Sequence, residues 1–565
     1  MKKKILILVV ITLFVGCRKK SNKSIPEKIE GLIAEKAMVV SAREEASKIG
    51  VDIMKQGGNA FDAMIATDLA LLVSYPVAGN IGGGGFMVFR MNDGSTGALD
   101  YRETAPYLAT KNMYLDEEGK VDSDKSKTGA LAIGVPGTIA GLFEIHEKYG
   151  SMPIQQLIEP AIQLAKNGVV VTEAQAKRLN HHKGSFRKVN QEHIIYDQEW
   201  RTGDTIKNPL LAKTLERIKT HGRDGFYKGK TADLIVNHIQ NIGGIITKDD
   251  LANYEVKWRA PITFIYKGHK IISMPPPSSG GICLAQILKT IEPYDIGQYK
   301  HNSTKYIQLI AEAERRSYAD RSYFLGDPDF ITVPIESLTS TKYLSQRMQS
   351  FNWKKATKSS ELSRGSFSGY ESDETTHYSI VDPFGNSVSV TTTLNGAYGS
   401  KVFVDKGGFF LNNEMDDFSA KPGTPNMFGL VGAEANSIAA QKRMLSSMSP
   451  TIVEENGQLK MVLGSPGGST IITTVMQNIL NVLDYDMTMQ ESVSKPRFHH
   501  QWLPDNIKFE TSFDTVVFDS LKKLGYKIDH SNSKVIGKTD AILVLPDGRL
   551  EGGADPRGDD KAEGF

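Results

Sequence analysis

Cysteine is almost absent from this sequence, with only two residues in 565 positions. Cys17 lies in the N-terminal leader, so only one cysteine remains in the rest of the chain and a disulfide framework is excluded. The other, Cys283, stands among glycine and aliphatic residues. We therefore expect it to be a small, buried apolar side chain rather than a reactive thiol.

No charge of either sign is in excess, because 67 Lys and Arg residues oppose 65 Asp and Glu residues. The formal net charge of +2 gives no reason to expect a nucleic-acid partner. The pairs His181-His182 and His499-His500 have no HExxH pattern or cysteine partners, so we expect hydrogen-bonded or exposed histidines and no metal site. The glycine run 82–85 has neither a GKS/T ending nor dinucleotide spacing, which favours close backbone packing over phosphate binding.

Long apolar runs are also missing, apart from residues 5–15, which follow three lysines. This run is too short to span a bilayer as a stable helix and is typical of an export signal. The three residues that end in Cys17 resemble a bacterial lipobox, which would make Cys17 the lipidated first residue of the mature protein. The alternative is a conventional secretory signal with an incidental cysteine, since Phe14 stands where leucine is usual.

We favour the lipoprotein, because residues 18–28 have the composition of a polar tether. The expected location is therefore outside the cytoplasm, in the periplasm or at the cell surface, with the protein held to a membrane by its lipid.

Two runs rich in β-branched residues, at 375–381 and 387–393, flank a turn-forming segment and predict a β-hairpin. With a loop of three residues Thr375 faces Thr393, and with a loop of two residues it faces Leu394. Residues directly opposite each other have Cβ atoms about 5 Å apart. The hairpin with the longer loop therefore places a second hydroxyl beside Thr375.

A threonine hydroxyl is a weak nucleophile unless a base lies next to it, and the α-amino group of the same residue can be that base. This amine has an unperturbed pKa of about 7.7–8.0, close enough to neutrality to accept a proton. It exists only if the chain is cut immediately before Thr375. The alternative is that Thr375 simply begins an ordinary strand.

Six blocks of this sequence, in order along the chain, resemble the γ-glutamyltranspeptidases, which are self-processing N-terminal-nucleophile hydrolases. The blocks are residues 375–379, 393–395, 411–418, 445–451, 464–469 and 496–500. The resemblance extends over essentially the whole chain after the leader. It implies an α/β fold, the four-layer αββα sandwich of N-terminal-nucleophile hydrolases, in which two packed sheets lie between helix layers.

The resemblance also implies a cut between Glu374 and Thr375. Residues 1–17 would then be the signal peptide and lipobox, residues 18–374 the large subunit and residues 375–565 the small subunit of one interlocked unit. Thr375 Oγ1 would attack the γ-glutamyl amide of glutathione or a related compound while its own amine takes the proton. Water, an amino acid or a dipeptide would then receive the acyl group, and no metal or organic cofactor is implied.

Arg102 ends a predicted hairpin whose turn is residues 91–94, and the expected register places it opposite Gly83. An arginine that faces a glycine strip has room to hold a carboxylate with two hydrogen bonds. By spacing alone, a surface arginine paired with Asp100 or Glu103 is favoured. In the family that the chain resembles, the matching arginine binds the substrate α-carboxylate.

Glu414 and Asp417, three residues apart, can face the same side of a short turn and hold an ammonium group. The resemblance implies that both bind the α-amino group of the γ-glutamyl moiety, with Arg102 on the other side of this head group. Asn395, two residues beyond Thr393 and on the same strand face, is expected to contact the substrate as well.

Gly467 and Gly468 can expose backbone N–H groups to an oxyanion because no side chain blocks the approach. The resemblance implies that they form the oxyanion hole, and that Ser446 and Ser447 hold the substrate carboxylate beside Arg102. Without the resemblance, the two glycines would indicate a simple turn into a helix.

The segment 421–441 has the length of the lid loop that some family members carry over the site. Phe428 stands where such lids often have a tyrosine, so a hydroxyl that could bond near Asn395 is missing. We expect this lid to close more loosely.

Two alternatives to a γ-glutamyltranspeptidase remain open. A cephalosporin or glutaryl acylase on the same scaffold is disfavoured by Arg102, Glu414 and Asp417, which together suit a substrate with both an α-carboxylate and an α-ammonium group. A surface lipoprotein that only binds peptides or glycans has no need of a threonine at a cut site, so its chain would stay uncut.

Overall fold

The computed structural model describes residues 28–362, 375–531 and 535–565. Cys17, with the rest of the leader and the lipobox, lies outside the described residues, and so does Glu374 on the upstream side of the expected cut. No helix within the described ranges is both long and apolar enough to cross a membrane.

Two seven-stranded antiparallel sheets form the centre of the described chain. In chain order the strands are β1 (Leu32–Ala34), β2 (Met38–Ser41), β3 (Gly84–Arg90), β4 (Thr96–Tyr101), β5 (Val169–Val170), β6 (Thr205–Ile206), β7 (Lys257–Arg259), β8 (Ile262–Tyr266), β9 (His269–Ser273), β10 (Thr375–Val381), β11 (Ser387–Thr393), β12 (Phe403–Val404), β13 (Phe409–Phe410), β14 (Thr451–Glu455), β15 (Gln458–Gly464), β16 (Phe498–His499), β17 (Ile507–Phe509), β18 (Ile528–Asp529), β19 (Asp540–Val544), β20 (Leu550–Ala554) and β21 (Lys561–Gly564). Sheet I has the strand order β21-β2-β10-β11-β3-β4-β7, and sheet II has the order β1-β20-β19-β15-β14-β9-β8.

The helices of the described ranges cover the outer faces of both sheets. In chain order they are α1 (Glu44–Lys55), α2 (Ala60–Ser74), α3 (Ser123–Lys127), α4 (Thr138–Tyr149), α5 (Ile154–Asn167), α6 (Glu173–Val189), α7 (Pro209–His221), α8 (Asp224–Tyr227), α9 (Gly229–Asn241), α10 (Lys248–Ala252), α11 (Gly280–Ile291), α12 (Thr304–Phe324), α13 (Ile335–Thr339), α14 (Thr341–Met348), α15 (Ile471–Leu483), α16 (Met489–Ser494) and α17 (Phe518–Lys523).

Four layers result from this arrangement. Helix α2 packs on β10 and β11, α4 packs on β4, and on the far side α11 packs on β8 and β9 while α15 packs on β15. Alternating residues of β3 follow the layers, since Met87 and Phe89 belong to the core beneath the first helix layer, whereas Phe86 and Val88 belong to the core shared with sheet II. The expected αββα sandwich is therefore confirmed.

The hairpin of β10 and β11 occupies the middle of sheet I. Its three-residue loop is closed by the Asp382 N–H, which donates to the Asn386 carbonyl at 3.0 Å. The Asp382 carboxylate also accepts the backbone N–H of Ala60 at 2.9 Å, which ties the turn to the first residue of α2. The register that places Thr375 opposite Thr393 is the one observed.

The neighbouring hairpin of β3 and β4 differs from the expected register by one residue. The Met91 N–H donates to the Ser95 carbonyl at 2.8 Å, so the loop has three residues rather than two. Gly94 makes this loop possible, because it adopts a φ of 86° in the left-handed region. Arg102 therefore does not face Gly83 within the sheet and instead follows directly after the last residue of β4.

The face of the hairpin that looks toward sheet II is polar and fully buried. His377 Nδ1 lies 2.9 Å from Thr391 Oγ1, and its Nε2 lies 3.1 Å from Ser379 Oγ, which donates to the Asp540 carbonyl at 2.9 Å. Burial lowers the pKa of His377 to about 3, so the ring is neutral near pH 7. Gly464 leaves the room for this ring, since a Cβ at that position would lie 2.2 Å from it.

Candidate active site

Thr375, the first residue of β10, brings its hydroxyl close to that of Thr393 at the end of β11. The two Oγ1 atoms lie 3.4 Å apart, and both residues are at most 5% exposed. Thr393 Oγ1 also accepts the N–H of Asn395 at 2.7 Å. Because a hydroxyl can accept one hydrogen bond and donate another, the Thr393 hydroxyl can hold this N–H and still donate to Thr375.

These hydroxyls open into a small cavity of about 20 Å³. The predicted site residues that line it are Arg102, Thr375, Thr393, Asn395, Asp417, Ser446, Ser447 and Gly468. Glu414 and Gly467 do not line it but lie directly beside residues that do. The remaining wall is apolar and includes Phe428 and Leu430.

Arg102 is the centre of a buried charge cluster. Its Nη1 lies 2.6 Å from Glu414 Oε2, and its Nη2 lies 2.5 Å from Asp417 Oδ2. Both carboxylates belong to a 3-10 helix at Glu414–Asp417, which turns them to the same side as expected. Glu103 Oε2 adds a more distant contact at 3.7 Å.

This geometry corrects one expectation for Arg102. The residue is 1% exposed, so it is not a surface arginine, although the predicted contact with Glu103 exists. Arg102 also pairs directly with both Glu414 and Asp417, which the sequence did not indicate. The physical reason is that a guanidinium group without water needs counter-ions within reach.

Burial also disfavours the charged forms of the acidic side chains in this cluster. It raises the pKa of Glu414 and of Asp417, and the neighbouring Arg102 offsets part of that effect in each case. An ammonium group that replaced part of the arginine contact would therefore be held by desolvated carboxylates, which strengthens the interaction.

Ser446 and Ser447 line the same cavity, and the segment 277–279 holds Ser446 through backbone hydrogen bonds. The Ser279 N–H donates to the Ser446 carbonyl at 2.8 Å, and the Ser446 N–H donates to the Pro277 carbonyl at 2.8 Å. The hydroxyl oxygen of Ser446 accepts the Met448 N–H at 3.1 Å. The hydroxyl oxygen of Ser447 accepts a hydrogen bond from Arg321 Nη2 at 3.0 Å.

Arg321 was not among the residues that the sequence indicated. It lies in the last turn of α12, and no local motif marks it. Its contact with Ser447, across more than a hundred positions of the chain, connects it with the site.

Gly467 and Gly468 precede helix α15 in conformations that favour glycine, with φ values of 136° and 53°. A Cβ on Gly468 would lie 2.4 Å from the ring of Phe428, and one on Gly467 would lie 2.5 Å from Thr470 Oγ1. Neither backbone N–H donates to an acceptor within the described residues. Both donors therefore lack an acceptor among these residues, and Gly468 lines the cavity directly.

The segment 421–441, which the sequence predicts to be a lid, forms hydrogen bonds with the acidic turn that carries Asp417. Asn426 Nδ2 donates to Asp417 Oδ1 at 3.1 Å, and the Met427 N–H donates to Asp416 Oδ2 at 2.8 Å. Phe428 is 4% exposed and lines the cavity. Phe428 lacks the tyrosine hydroxyl that could bond near Asn395. The sulfur of the neighbouring Met427 lies 3.7 Å from Asn395 Nδ2 instead.

Asn395 reaches the cavity by a different route from the one expected. Strand β11 ends at Thr393, and Asn395 has a φ of 72°, so strand alternation does not determine its direction. Its Nδ2 donates to the Asn413 carbonyl at 3.0 Å, which holds the side chain at the cavity wall.

Other parts of the described chain offer less for catalysis. A larger groove of about 640 Å³ lies between α4 and the segment 252–258, but no serine, threonine or cysteine lines it. Among residues 28–362, 375–531 and 535–565, no group of three or more His, Cys, Asp or Glu side chains is placed to hold a metal ion. His499 and His500 are buried and hydrogen-bonded, as expected.

Comparison with known proteins decides the family. The sequence model of the family described as Gamma-glutamyltranspeptidase matches residues 46–565. This chain belongs to the γ-glutamyltranspeptidase family. The glutathione hydrolase proenzyme of Escherichia coli (strain K12) is 47% identical to it over 538 residues, which cover 94% of this chain and 92% of that protein.

Solved structures agree with this assignment to the γ-glutamyltranspeptidases. The gamma-glutamyltranspeptidase of Helicobacter pylori is 43% identical with a TM-score of 0.57, and the match covers 60% of this chain and 97% of that chain. Cephalosporin acylase from Bacillus halodurans has a TM-score of 0.85 at 24% identity, over 96% of this chain and 98% of that chain. This second likeness shows the shared fold alone.

The Thr375–Thr393 contact generates a test within this γ-glutamyltranspeptidase. Thr393→Val keeps the side-chain shape but removes the hydroxyl that faces Thr375 and leaves the buried Asn395 N–H without its acceptor. The lost hydrogen bond to Thr375 is worth about 0.5–1.5 kcal/mol, so we expect self-cleavage and turnover each to slow by up to about tenfold. Electrophoresis over time and a γ-glutamyl anilide assay measure the two rates.

Thr376→Val is the matched control, because Thr376 is the next residue of β10 and points to the other face. Its hydroxyl is buried and has no hydrogen-bond partner among the described residues. The control should mature and turn over like the parent. If Thr393→Val does so too, the contact has no catalytic importance.

Proposed function

We propose that this protein cuts itself between Glu374 and Thr375 and then acts as a two-subunit γ-glutamyl hydrolase and transferase. Its donors would be glutathione and other γ-glutamyl compounds, and its acceptors water, amino acids and dipeptides. The observation that carries the proposal is the position of Thr375 Oγ1, which shares one small cavity with both Arg102 and Asp417. The Escherichia coli relative is, by its name, a proenzyme that hydrolyses glutathione.

Self-cleavage would use the same hydroxyl that later performs catalysis. Thr375 Oγ1 attacks the carbonyl carbon of residue 374, and the acyl group moves from nitrogen to oxygen. Water then hydrolyses the ester, which leaves a carboxylate on Glu374 and a new α-amine on Thr375. The large subunit would span residues 18–374 and the small subunit residues 375–565.

The new amine supplies the base for the second reaction. Thr375 Oγ1 attacks the γ-carbonyl carbon of the donor, the amine accepts the hydroxyl proton and passes it to the departing amine of the donor. Thr393 orients the attacking hydroxyl through the 3.4 Å contact. Water or an acceptor amine then attacks the ester and releases the enzyme, so bonds and protons balance without a metal or organic cofactor.

The N–H groups of Gly467 and Gly468 would stabilise the oxyanion that forms at each attack. Backbone donors fixed in a dry cavity cost little reorganisation when charge develops, and removal of one such donor typically slows an enzyme by about 10²–10³-fold. Their freedom from other acceptors supports this assignment.

Recognition of the donor would depend on its two opposite charges. Its α-ammonium group would take Glu414 and Asp417 as partners, and its α-carboxylate would take Arg102 with the hydroxyls of Ser446 and Ser447. The amide of Asn395 would add a contact to the bound head group. The pairing of Arg102 with both carboxylates supports this, because a zwitterion can exchange with such a pair without leaving a charge unmatched.

We further propose that the protein is exported and anchored to a membrane by a lipid on Cys17. This rests on the leader sequence, with its three lysines, short apolar run and lipobox-like end. Labelling with a radioactive fatty acid would detect the modification, and Cys17→Ser should abolish it.

The self-cleavage proposal predicts two polypeptides on a denaturing gel, of which the smaller begins Thr-Thr-His. Thr375→Ala should remain one uncut chain without γ-glutamyl activity, because no hydroxyl is available for either attack. N-terminal sequencing of the smaller band checks the site. Maturation of the Thr375→Ala protein would show that the nucleophile is wrongly assigned.

The recognition proposal predicts a strong preference for γ-glutamyl over glutaryl donors, which lack only the α-amino group. Removing one partner of a buried charge pair costs about 2–5 kcal/mol, so Asp417→Asn should raise KM for a γ-glutamyl anilide by about tenfold or more. The glutaryl anilide serves as the control, since the variant should change its slow turnover little. A parent enzyme that prefers the glutaryl donor would be an acylase on this scaffold.

A further inference from the structure

Most buried arginines of this protein have a carboxylate within ion-pair distance. The pairs are Arg43 with Glu45, Arg90 with Glu454, Arg102 with Glu414, Arg315 with Asp505, Arg316 with Glu312, Arg443 with Asp100 and Arg497 with Asp555. Arg321 is also buried, with 4% exposure. Within the part of the chain that the structure describes, no carboxylate oxygen lies within 4.0 Å of its guanidinium nitrogens.

The hydrogen-bond partners of Arg321 are two serine hydroxyls. Its Nε donates to Ser279 Oγ at 2.9 Å, and its Nη2 donates to Ser447 Oγ at 3.0 Å. Asp417 acts on it only through space, since its own oxygens bind Arg102 and Asn426. A buried guanidinium stays charged but is costly without a counter-ion, so this group is poised for an anion.

The contact with Arg321 also determines what the Ser447 hydroxyl can do. Its oxygen accepts from the guanidinium, and among the described residues no acceptor takes its hydrogen. The hydrogen is therefore available to a group in the cavity that Ser447 lines. Ser446 is in the same state, since its oxygen accepts the Met448 N–H. Both hydroxyls are thus prepared as donors to an anion.

Arg321 and Arg102 differ in the counter-ions that they already have. Arg102 already has Glu414 and Asp417 as counter-ions, so a substrate carboxylate must compete for it. Arg321 has no such competitor and lies one hydroxyl away from the cavity. An anion that bound Ser447 would gain the attraction of this unmatched charge in a region of low dielectric.

We propose that Arg321 is a positioning residue that acts through Ser447 to hold the α-carboxylate of the donor. The inference rests on the proposed function and adds a second cation to it, one that stays behind the serine and does not touch the substrate. It predicts that loss of Arg321 weakens donors that carry an α-carboxylate and spares donors that lack it.

Two anilide donors test this on the matured enzyme. One is the γ-glutamyl 4-nitroanilide, and the other is the 4-aminobutanoyl 4-nitroanilide, which keeps the amino group but has no α-carboxylate. Arg321→Gln should raise KM for the first by about tenfold, the loss typical of a charged hydrogen bond, with a much smaller change in kcat. For the second, KM should change by less than about twofold. Arg321→Lys should recover part of the loss, because it restores the charge.

A double-mutant cycle with Ser447→Ala tests the route of the effect. If Arg321 acts through Ser447, Arg321→Gln should add little once the hydroxyl is gone. Arg316→Lys, in the same helix but paired with Glu312, is the control and should leave both donors unchanged. Equal losses on both donors, or additive losses in the cycle, would overturn the proposal.

Two further outcomes distinguish failure of this proposal from a folding defect and from failure of the proposed function. If Arg321→Gln does not mature, the Arg321→Lys enzyme decides by the same comparison of donors, and failure of both to mature assigns Arg321 a structural role and overturns the proposal. If the parent itself does not turn over the γ-glutamyl donor, it is the proposed function that fails, before any variant is measured.

Discussion

The pairing of β10 with β11 is the constraint on which the rest of this site depends. It places Thr375 opposite Thr393 and is held in the middle of sheet I between β2 and β3. The Asp382 carboxylate holds the turn with two hydrogen bonds. It accepts the N–H of Asn386 within the loop and the N–H of Ala60 at the start of α2. A slip of one residue would reverse the face of every side chain, so this turn indirectly positions the Thr375 hydroxyl.

Removal of water is the second constraint, and it makes every charge in the site depend on its neighbours. Glu414 and Asp417 stabilise the charge of Arg102 there, whereas Arg321 binds two serine hydroxyls and has no carboxylate partner among the described residues. A zwitterionic head group carries an ammonium group for Glu414 and Asp417 and a carboxylate for the two arginines, and it has no net charge. Its binding in such a cavity combines strong local attraction with a modest overall cost of desolvation.

The four-layer fold followed from the resemblance to the γ-glutamyltranspeptidases and not from local signals. Turn residues between two β-branched runs were sufficient to predict the hairpin, but they left two registers open, of which the one with Thr375 opposite Thr393 is observed. The same reasoning placed Arg102 one residue away from its true position. Gly94 and Gly385 each adopt a left-handed conformation at the end of a three-residue loop. A two-residue loop was expected at Gly94. The sequence alone does not distinguish these loop lengths.

Contacts between distant segments could not be predicted. Arg321 reaches Ser447 from another helix, and Met427 reaches Asn395 from the lid segment, without any motif that marks either one. The direct pairing of Arg102 with its carboxylates was missed for a related reason. The sequence indicates candidate substrate-binding residues, but not the hydrogen bonds and ion pairs that these residues form with one another.

Trapping the acyl-enzyme tests the central claim most directly. The matured protein would be mixed with a γ-glutamyl donor, quenched in acid within the first turnover, digested and examined by mass spectrometry. Our account predicts that the peptide beginning at Thr375 carries one γ-glutamyl group as an ester on the Thr375 side chain, and that this adduct disappears when hydroxylamine is added. An adduct on any other residue, or steady turnover with no adduct on this peptide at any time, would contradict it.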